Sequence, residues 1–326
     1  MSLIVADFES FYHKQKKISL SNMTPEEYLR HPQVKDDIYL VALIEYEGIT
    51  FCEHPNQAPW EIVNGADLIM FNARWDFACY KHLQRQGIIP MNINPGRVFC
   101  ASDMSRALWG INDLAGAYKA AYGEDLDKSY RQNANGKTGA ELRANPVIWN
   151  KVVKACISDG TSTMRMWLDH SDRWNEFERQ ISKWNRVGQM KGVYLDMDLV
   201  ERNMEICDEE IAYAEERIPW LDEWKSSTLV TPYAKRFVRA QCERDGLDFP
   251  KSMNKKNPEF IKWKATNVPR FDWLQALEDW AEAHRLLDIH KTEINMLDKN
   301  GVIQFNLVYQ GAINTGRFSG RTREDG

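Results

Sequence analysis

"IVADFESFY", residues 4–12, decides how the first half of the chain is read. Ile4, Val5 and Ala6 form the short apolar run of a buried β-strand, and Asp7 and Glu9 flank Phe8 at its end. Alternate residues of a strand point the same way, so the two acids share one face and Phe8 turns toward the core. Two like charges on one face repel, and the pattern calls for something positive between them.

Outward from this strand, the first 170 residues alternate between strand-like and helix-like patterns. "IYLVALIEYEG" (38–48) and "ITFCEH" (49–54) predict two strands joined at Glu47-Gly48. "ADLIMFN" (66–72) reads as a buried strand, and "RWDFACYKHLQRQG" (74–87) as a helix stopped by Gly87 with Pro90 beyond. "VFCASDMSRALWG" is a strand end running into a helix, and "INDLAGAYKAAYG" a helix closed by Gly123. Residues 127–145, rich in Asn, Gly, Lys and Arg, read as a loop. Residues 145–170 read as one long helix with Pro146 near its start. This βαβ-like alternation predicts an α/β fold with a mixed sheet.

From about residue 171 the character changes. "SDRWNEFERQISKWNRVGQMKG" and "DMDLVERNMEICDEEIAYAEERI" carry apolar residues at three- and four-residue spacing among many charges, the pattern of amphipathic helices. A basic loop over 246–260 and a long helix over 271–297 follow. The last segment reads as a strand and then a glycine- and arginine-rich end. The expected division is therefore 1–175 and 176–326.

At 326 residues, 43% hydrophobic and 27% charged, the composition is that of a globular protein of about two domains. A net charge of −5 excludes nucleic-acid binding by bulk positive charge and leaves room for a local basic groove. The six cysteines, Cys52, Cys79, Cys100, Cys156, Cys207 and Cys242, show no C-x-x-C pair. That spacing favours reduced thiols in a cytoplasm over a disulfide framework or a zinc site. The histidines fit no zinc spacing. No leader pattern and no apolar run of about eighteen residues is present, so no membrane partner is expected. "YRQNANGKTG" (130–139) lacks the spacing and strand-to-helix context of a phosphate loop.

Two further acids belong with the opening pair. Asp76 follows Asn72 by four residues at the start of a helix, and Asp159 lies within the long third helix. Each alone reads as a helix-surface acid or a cap, and a D-x-E at a strand end is common. Together they form a set that two divalent cations a few ångströms apart can hold. Such a pair of ions activates a water on one side of a phosphodiester and stabilises the leaving oxygen on the other. Magnesium suits oxygen ligands of this kind.

"VADFES" (5–10), "IMFNARWDF" (69–77) and "ACISDGTST" (155–163) resemble the three exonuclease motifs of the DEDD 3′–5′ exonucleases. The likeness is to the proofreading domain of bacteriophage family A DNA polymerases. It implies a ribonuclease-H-like mixed sheet flanked by helices, followed by a mainly α-helical thumb-like region. Asp7 and Glu9 match the first motif, Asp76 the second and Asp159 the third, and they would hold two Mg²⁺, with Mn²⁺ as a substitute. Asn72 matches the asparagine four positions before the second-motif acid. Arg74, Trp75 and Phe8, beside the motif acids, are candidates to hold the 3′-terminal nucleotide, although alternation places Phe8 in the core. One departure stands out: the polymerase subgroup has a tyrosine four residues before the last acid, where this chain has Ala155. The other subgroup has a histidine five residues before it, where this chain has Lys154. Metal binding is expected to survive this and hydrolysis to be slowed, with Ala155→Tyr expected to restore it.

The likeness continues through "ISKWNRVGQMKGVYLDMDLVERN" (181–203), the helices of 231–250 and 271–297, and "YQGAINTGRFSGR" (309–321). This last stretch resembles a family A motif that touches the primer–template backbone. Thr315, Gly316, Arg317 and Ser319 fit such a loop, since glycine permits close approach and arginine pairs with phosphate. Lys251, Lys255, Lys256, Lys262 and Lys264 follow a DNA backbone on one reading and are solvated surface on the other. The family's polymerase acids would lie beyond Gly326. A split polymerase, a truncated product and a piece of an interrupted gene all fit. A split polymerase would expose Trp220, Trp224, Trp263, Trp273 and Trp280 to a partner; the ordinary reading places most of them in the core.

The resemblance thus implies a metal-dependent exonuclease that removes the 3′-terminal nucleotide of single-stranded DNA. Its partners would be that strand and primer–template DNA, in the cytoplasm of a host cell if phage-encoded. The alternative is a weakly active or inactive exonuclease fold, a DNA-binding subunit beside a second chain that supplies palm and fingers.

Overall fold

A computed structural model describes residues 2–320 apart from 47, 129, 222–228, 230, 255, 299, 304, 306 and 313–316. Thr315, Gly316, Trp224 and Lys255 therefore lie outside the described residues. The chain forms two compact units, Met1–Val193 with Gln304–Gly326, and Tyr194–Ile303.

The first unit is built on β1 (Leu3–Ser10), α1 (Pro25–Arg30), β2 (Ile38–Glu45), β3 (Gly48–Glu53), β4 (Asp67–Met70) and α2 (Ala73–Arg85). There follow β5 (Arg97–Cys100), α3 (Ala101–Trp109), α4 (Leu114–Tyr122), α5 (Tyr130–Ala134), α6 (Gly139–Arg143), α7 (Pro146–His170) and α8 (Glu176–Lys191). The strands order as β3-β2-β1-β4-β5. β1 is central, antiparallel to β2 on one side and parallel to β4 on the other. β3 extends the antiparallel side and β5 the parallel side, which makes the sheet mixed. Helices cover both faces, and accordingly the runs "IYLVALI" and "DLIM" are buried throughout rather than in alternation.

The two faces of β1 feed two cores. Ile4, Ala6 and Phe8 pack with Trp60, Leu68 and Tyr80 on one side. Phe8 stacks on Trp60 with ring centroids 6.2 Å apart, as alternation requires. Val5 packs on the other side with Ala42, Ile44, Val152 and Cys156. Asp7 and Glu9 share the parity of Val5, so they turn toward α7.

α7 is a single 25-residue helix. It is opened by Pro146 at its first turn and by Asn145, whose Oδ1 accepts from the Ile148 amide at 3.2 Å. Val152, Ala155, Cys156, Asp159, Gly160, Thr163, Met166 and Trp167 form a buried stripe at helical spacing, widened near the C-terminal end by Ser162 and Met164. Asp159 thus sits on the apolar stripe, facing the sheet.

Two expectations need correction. The segment 127–145 is not one loop: it contains α5 and α6. α6 opens with a capping box in which Thr138 and Glu141 satisfy each other's orphan amides. The division by compactness also falls elsewhere than at 175/176. α8 belongs with the sheet, where Arg186 Nη2 donates to the Val98 carbonyl at 2.7 Å. The strand Leu307–Ala312 returns to that same unit: Leu307 is held by Gln189 through bonds of 2.9 and 3.1 Å, and Tyr309 is buried against Trp174.

The second unit is helical, with Met197–Arg217, Pro232–Asp245, Pro258–Asn267 and Asp272–Asn295 as its principal helices among the described residues. The first and last of these pack antiparallel. Arg217 pairs with Asp272 and Asp279 at 3.4 and 3.2 Å, and Cys207 and Ile211 meet Ala283 and Leu287. Trp220 and Trp273 lie in its core, and Trp263 and Trp280 pack partly buried against it. Trp220 and Trp273 follow the ordinary core reading, and Trp263 and Trp280 follow it in part. All six cysteines are unbridged. Among the described residues no helix is long and apolar enough to cross a membrane.

Candidate active site

A cleft of about 620 Å³ opens in the first unit over the end of β1. Asp7 and Glu9 from β1, Asp76 from α2 and Asp159 from α7 all line it. Asp7 and Glu9 are partly exposed into the cleft, whereas Asp76 and Asp159 are only 3% and 5% accessible. Three elements that are distant in sequence therefore bring the four acids together.

Electrostatics follow from that convergence. Burial, then repulsion from Asp159, Asp76 and Glu9, raises the Asp7 carboxyl well above its ordinary value, and Lys128 partly opposes the rise. Burial raises Asp76 too; the backbone amides of Asn72 and Phe8 oppose this, and Glu9 adds to it. Asn72 N donates to Asp76 Oδ2 at 3.2 Å, so the asparagine holds the acid through its backbone. Its side chain is exposed and lines the cleft.

The cation that the opening pattern calls for is Lys128, whose Nζ pairs with Asp159 Oδ1. No sequence signal marked it, because it lies in a stretch without periodicity. Cys156 is the second residue sequence reasoning missed. Its Sγ lies 3.5 Å from Asp7 Oδ2, and donor atoms of Asp7, Glu9 and Cys156 all fall within 4.8 Å of one another. A hydrogen bond with Cys52, then burial, then the neighbouring acids push its thiol well up. The spacing held a signal here, since Cys156 precedes Asp159 by three residues on the same helix stripe.

Other expected residues sit differently. Arg74 lines the cleft, but its guanidinium forms a bidentate pair with Glu26 at 2.6 and 2.5 Å, so it struts α2 to α1. Trp75 is buried and edge-on to Tyr28 at 5.1 Å, a wall rather than an open platform. Ala155 is buried in the core between α7 and the sheet and does not line the cleft. Arg317 and Ser319 lie on the strand Arg317–Gly320, paired antiparallel with Leu307–Ala312. Asp103 and Arg106 also line the cleft: Arg106 reaches Asp103 Oδ1 at 3.2 Å, and Ser182 Oγ donates to Asp103 Oδ2 at 2.6 Å. Burial raises Asp103, and these partners oppose the rise.

The donor set fits divalent cations. Four carboxylates meet in one cleft, two of them held above their ordinary titration range by burial and mutual repulsion, and a charge of 2+ relieves that repulsion.

No protein-family model and no curated protein matches the chain. In fold the chain is similar to the POL domain of Pol1 from M. smegmatis, solved in complex with DNA primer-template and dNTP. The TM-score is 0.51 at 15% identity, covering 87% of this chain and 48% of that one. The chain thus spans about half the length of that structure. This likeness is one of fold, a mixed α/β sheet followed by helices.

Proposed function

We propose that the chain is a metal-dependent 3′–5′ exonuclease acting on single-stranded DNA, the proofreading part of a phage-like family A polymerase. The observation that carries this reading is the convergence of Asp7, Glu9, Asp76 and Asp159 from β1, α2 and α7 on one cleft. The five-stranded mixed sheet with β1 at its centre supports the ribonuclease-H-like expectation, and the polymerase neighbour supports a DNA partner.

On this reading the four carboxylates hold two Mg²⁺, for which Mn²⁺ substitutes. Bound ions supply the charge that lowers the pKa of a water and stabilises the departing oxygen of the diester. The chain's own part is positional. β1 fixes two acids on one face, Asn72 orients Asp76 through its amide, and the packing of α7 on the sheet fixes Asp159. The exposed side chain of Asn72 is placed to meet the terminal nucleotide. Thr315, Arg317 and Ser319 are proposed as primer–template backbone contacts, on the motif likeness alone.

A 5′-labelled single strand incubated with the chain and Mg²⁺ tests the reading. Expected is a ladder shortened from the 3′ end, abolished by EDTA and by Asp159→Asn. An intact strand, under conditions where calorimetry shows the divalent ion bound, overturns it. A second reading, a weak or inactive nuclease serving as DNA-binding subunit beside a palm-and-fingers chain, is favoured by Ala155 at the tyrosine position. DNA retention without shortening, and co-purification with such a chain, support that one.

A further inference from the structure

Lys128 is the cation within the acid cluster, and its position is specific. Its side chain is 18% exposed and that of Asp159 only 7%, and the two are joined at Oδ1. Lys128 lines the same cleft as Asp7, Glu9 and Asp76, and its charge opposes the rise in the Asp7 pKa.

A lysine on a carboxylate that is needed for a metal creates a competition. Two cations do not share one carboxylate oxygen without repulsion at short range, and repulsion in a partly buried cleft is weakly screened. A divalent ion that takes Asp159 through Oδ1 must displace the ammonium from that oxygen. Lys128 lines the cleft itself, so an ammonium released from Asp159 Oδ1 remains beside the space where a substrate phosphate would arrive with the metal.

Resting on the nuclease reading, we propose that Lys128 is a positioning residue that alternates between two anions. It neutralises Asp159 until a divalent ion takes that carboxylate, and it then pairs with the phosphate of the terminal diester. The exchange keeps the cluster from collapsing on its own repulsion and ties tight metal occupancy to the presence of nucleic acid.

The test uses Mn²⁺ binding, read by the electron paramagnetic resonance signal of the free ion, and single-turnover hydrolysis at saturating Mn²⁺. Lys128→Met removes the competitor, so Mn²⁺ affinity rises by about tenfold, the equivalent of one well-formed charge pair. The single-turnover rate falls, because the phosphate loses its partner. Lys128→Arg keeps a cation there, holds Mn²⁺ affinity near wild type and guards against a folding defect in the first variant. Equal or weaker Mn²⁺ binding by Lys128→Met overturns the competition, and tighter binding with an unchanged rate overturns the phosphate contact. Wild-type chain that binds no Mn²⁺ at all instead overturns the nuclease reading, so the two failures are distinguishable.

Discussion

At the scale of the residue, the placement of Asp7 costs stability. Its carboxylate is partly withdrawn from water and close to three like charges, with Lys128 as partial relief. Asp7→Asn removes the charge and keeps the shape, so in EDTA the variant is expected to be more stable than wild type by on the order of 1 kcal/mol. On the proposed metal-binding reading, the same variant also loses the stabilisation expected from Mg²⁺. Urea unfolding with EDTA and with Mg²⁺ reads both effects, and a variant less stable than wild type in EDTA contradicts the first. Ala155 is the opposite case. The motif likeness invites Ala155→Tyr as a repair, yet Ala155 is buried in the α7–sheet core and off the cleft. The larger ring is expected to overpack that core, destabilising by about 1–3 kcal/mol without raising hydrolysis. A faster exonuclease from this variant defeats the expectation.

At the scale of the element, the approach of α7 to the sheet sets where Asp159 stands. Gly160, its neighbour, lies so close to β2 that an added Cβ falls 2.8 Å from Ile44 Cγ1. Gly160→Ala forces helix or strand to shift, and we expect a loss of about 1–3 kcal/mol together with weaker metal binding. Thermal unfolding and Mn²⁺ titration measure the two, and an unchanged pair means that the helix has room to spare. α7 was legible in the sequence because its stripe runs at helical spacing and Pro146 marks its start. α6 was not read, although Thr138-x-x-Glu141 is a capping box, because the segment around it is rich in Asn, Gly, Lys and Arg and shows no apolar periodicity. Lys128 and the Glu26–Arg74 pair were not legible, because each joins segments that only the fold brings together.

At the scale of the whole molecule, ions, protons and folding are linked. Asp7 and Asp76 titrate in the folded chain well above their ordinary value, so the folded state binds protons more tightly than the unfolded one. Their contribution to stability is present below the unfolded pKa of about 4 and is lost as pH rises through the higher folded values. In EDTA, then, the stability difference between wild type and the Asp7→Asn, Asp76→Asn double variant moves against wild type over that window. Mg²⁺ at a hundred times its dissociation constant adds about 2.7 kcal/mol near neutrality, and less at pH 5, where protons compete for the carboxylates. Unfolding curves at pH 5 and 7.5, with and without Mg²⁺, measure the effect. Equal gains at both values show that the acids of the cleft do not take up the ion.

What the sequence alone determined is periodic or local: the D-x-E on one face of a strand, Asp159 on a helix's inner stripe, and the change to amphipathic helices after residue 171. These follow from the repeat of the backbone, which fixes direction without reference to any distant residue. The tertiary structure alone decided the rest: that three separate elements point their acids into one cleft, that Lys128 rather than an arginine faces them, that Arg74 is held by Glu26, and that the strand Leu307–Ala312 returns to the sheet unit. Contacts between residues a hundred positions apart arise from packing and charge across the folded interior, and no local pattern carries that information.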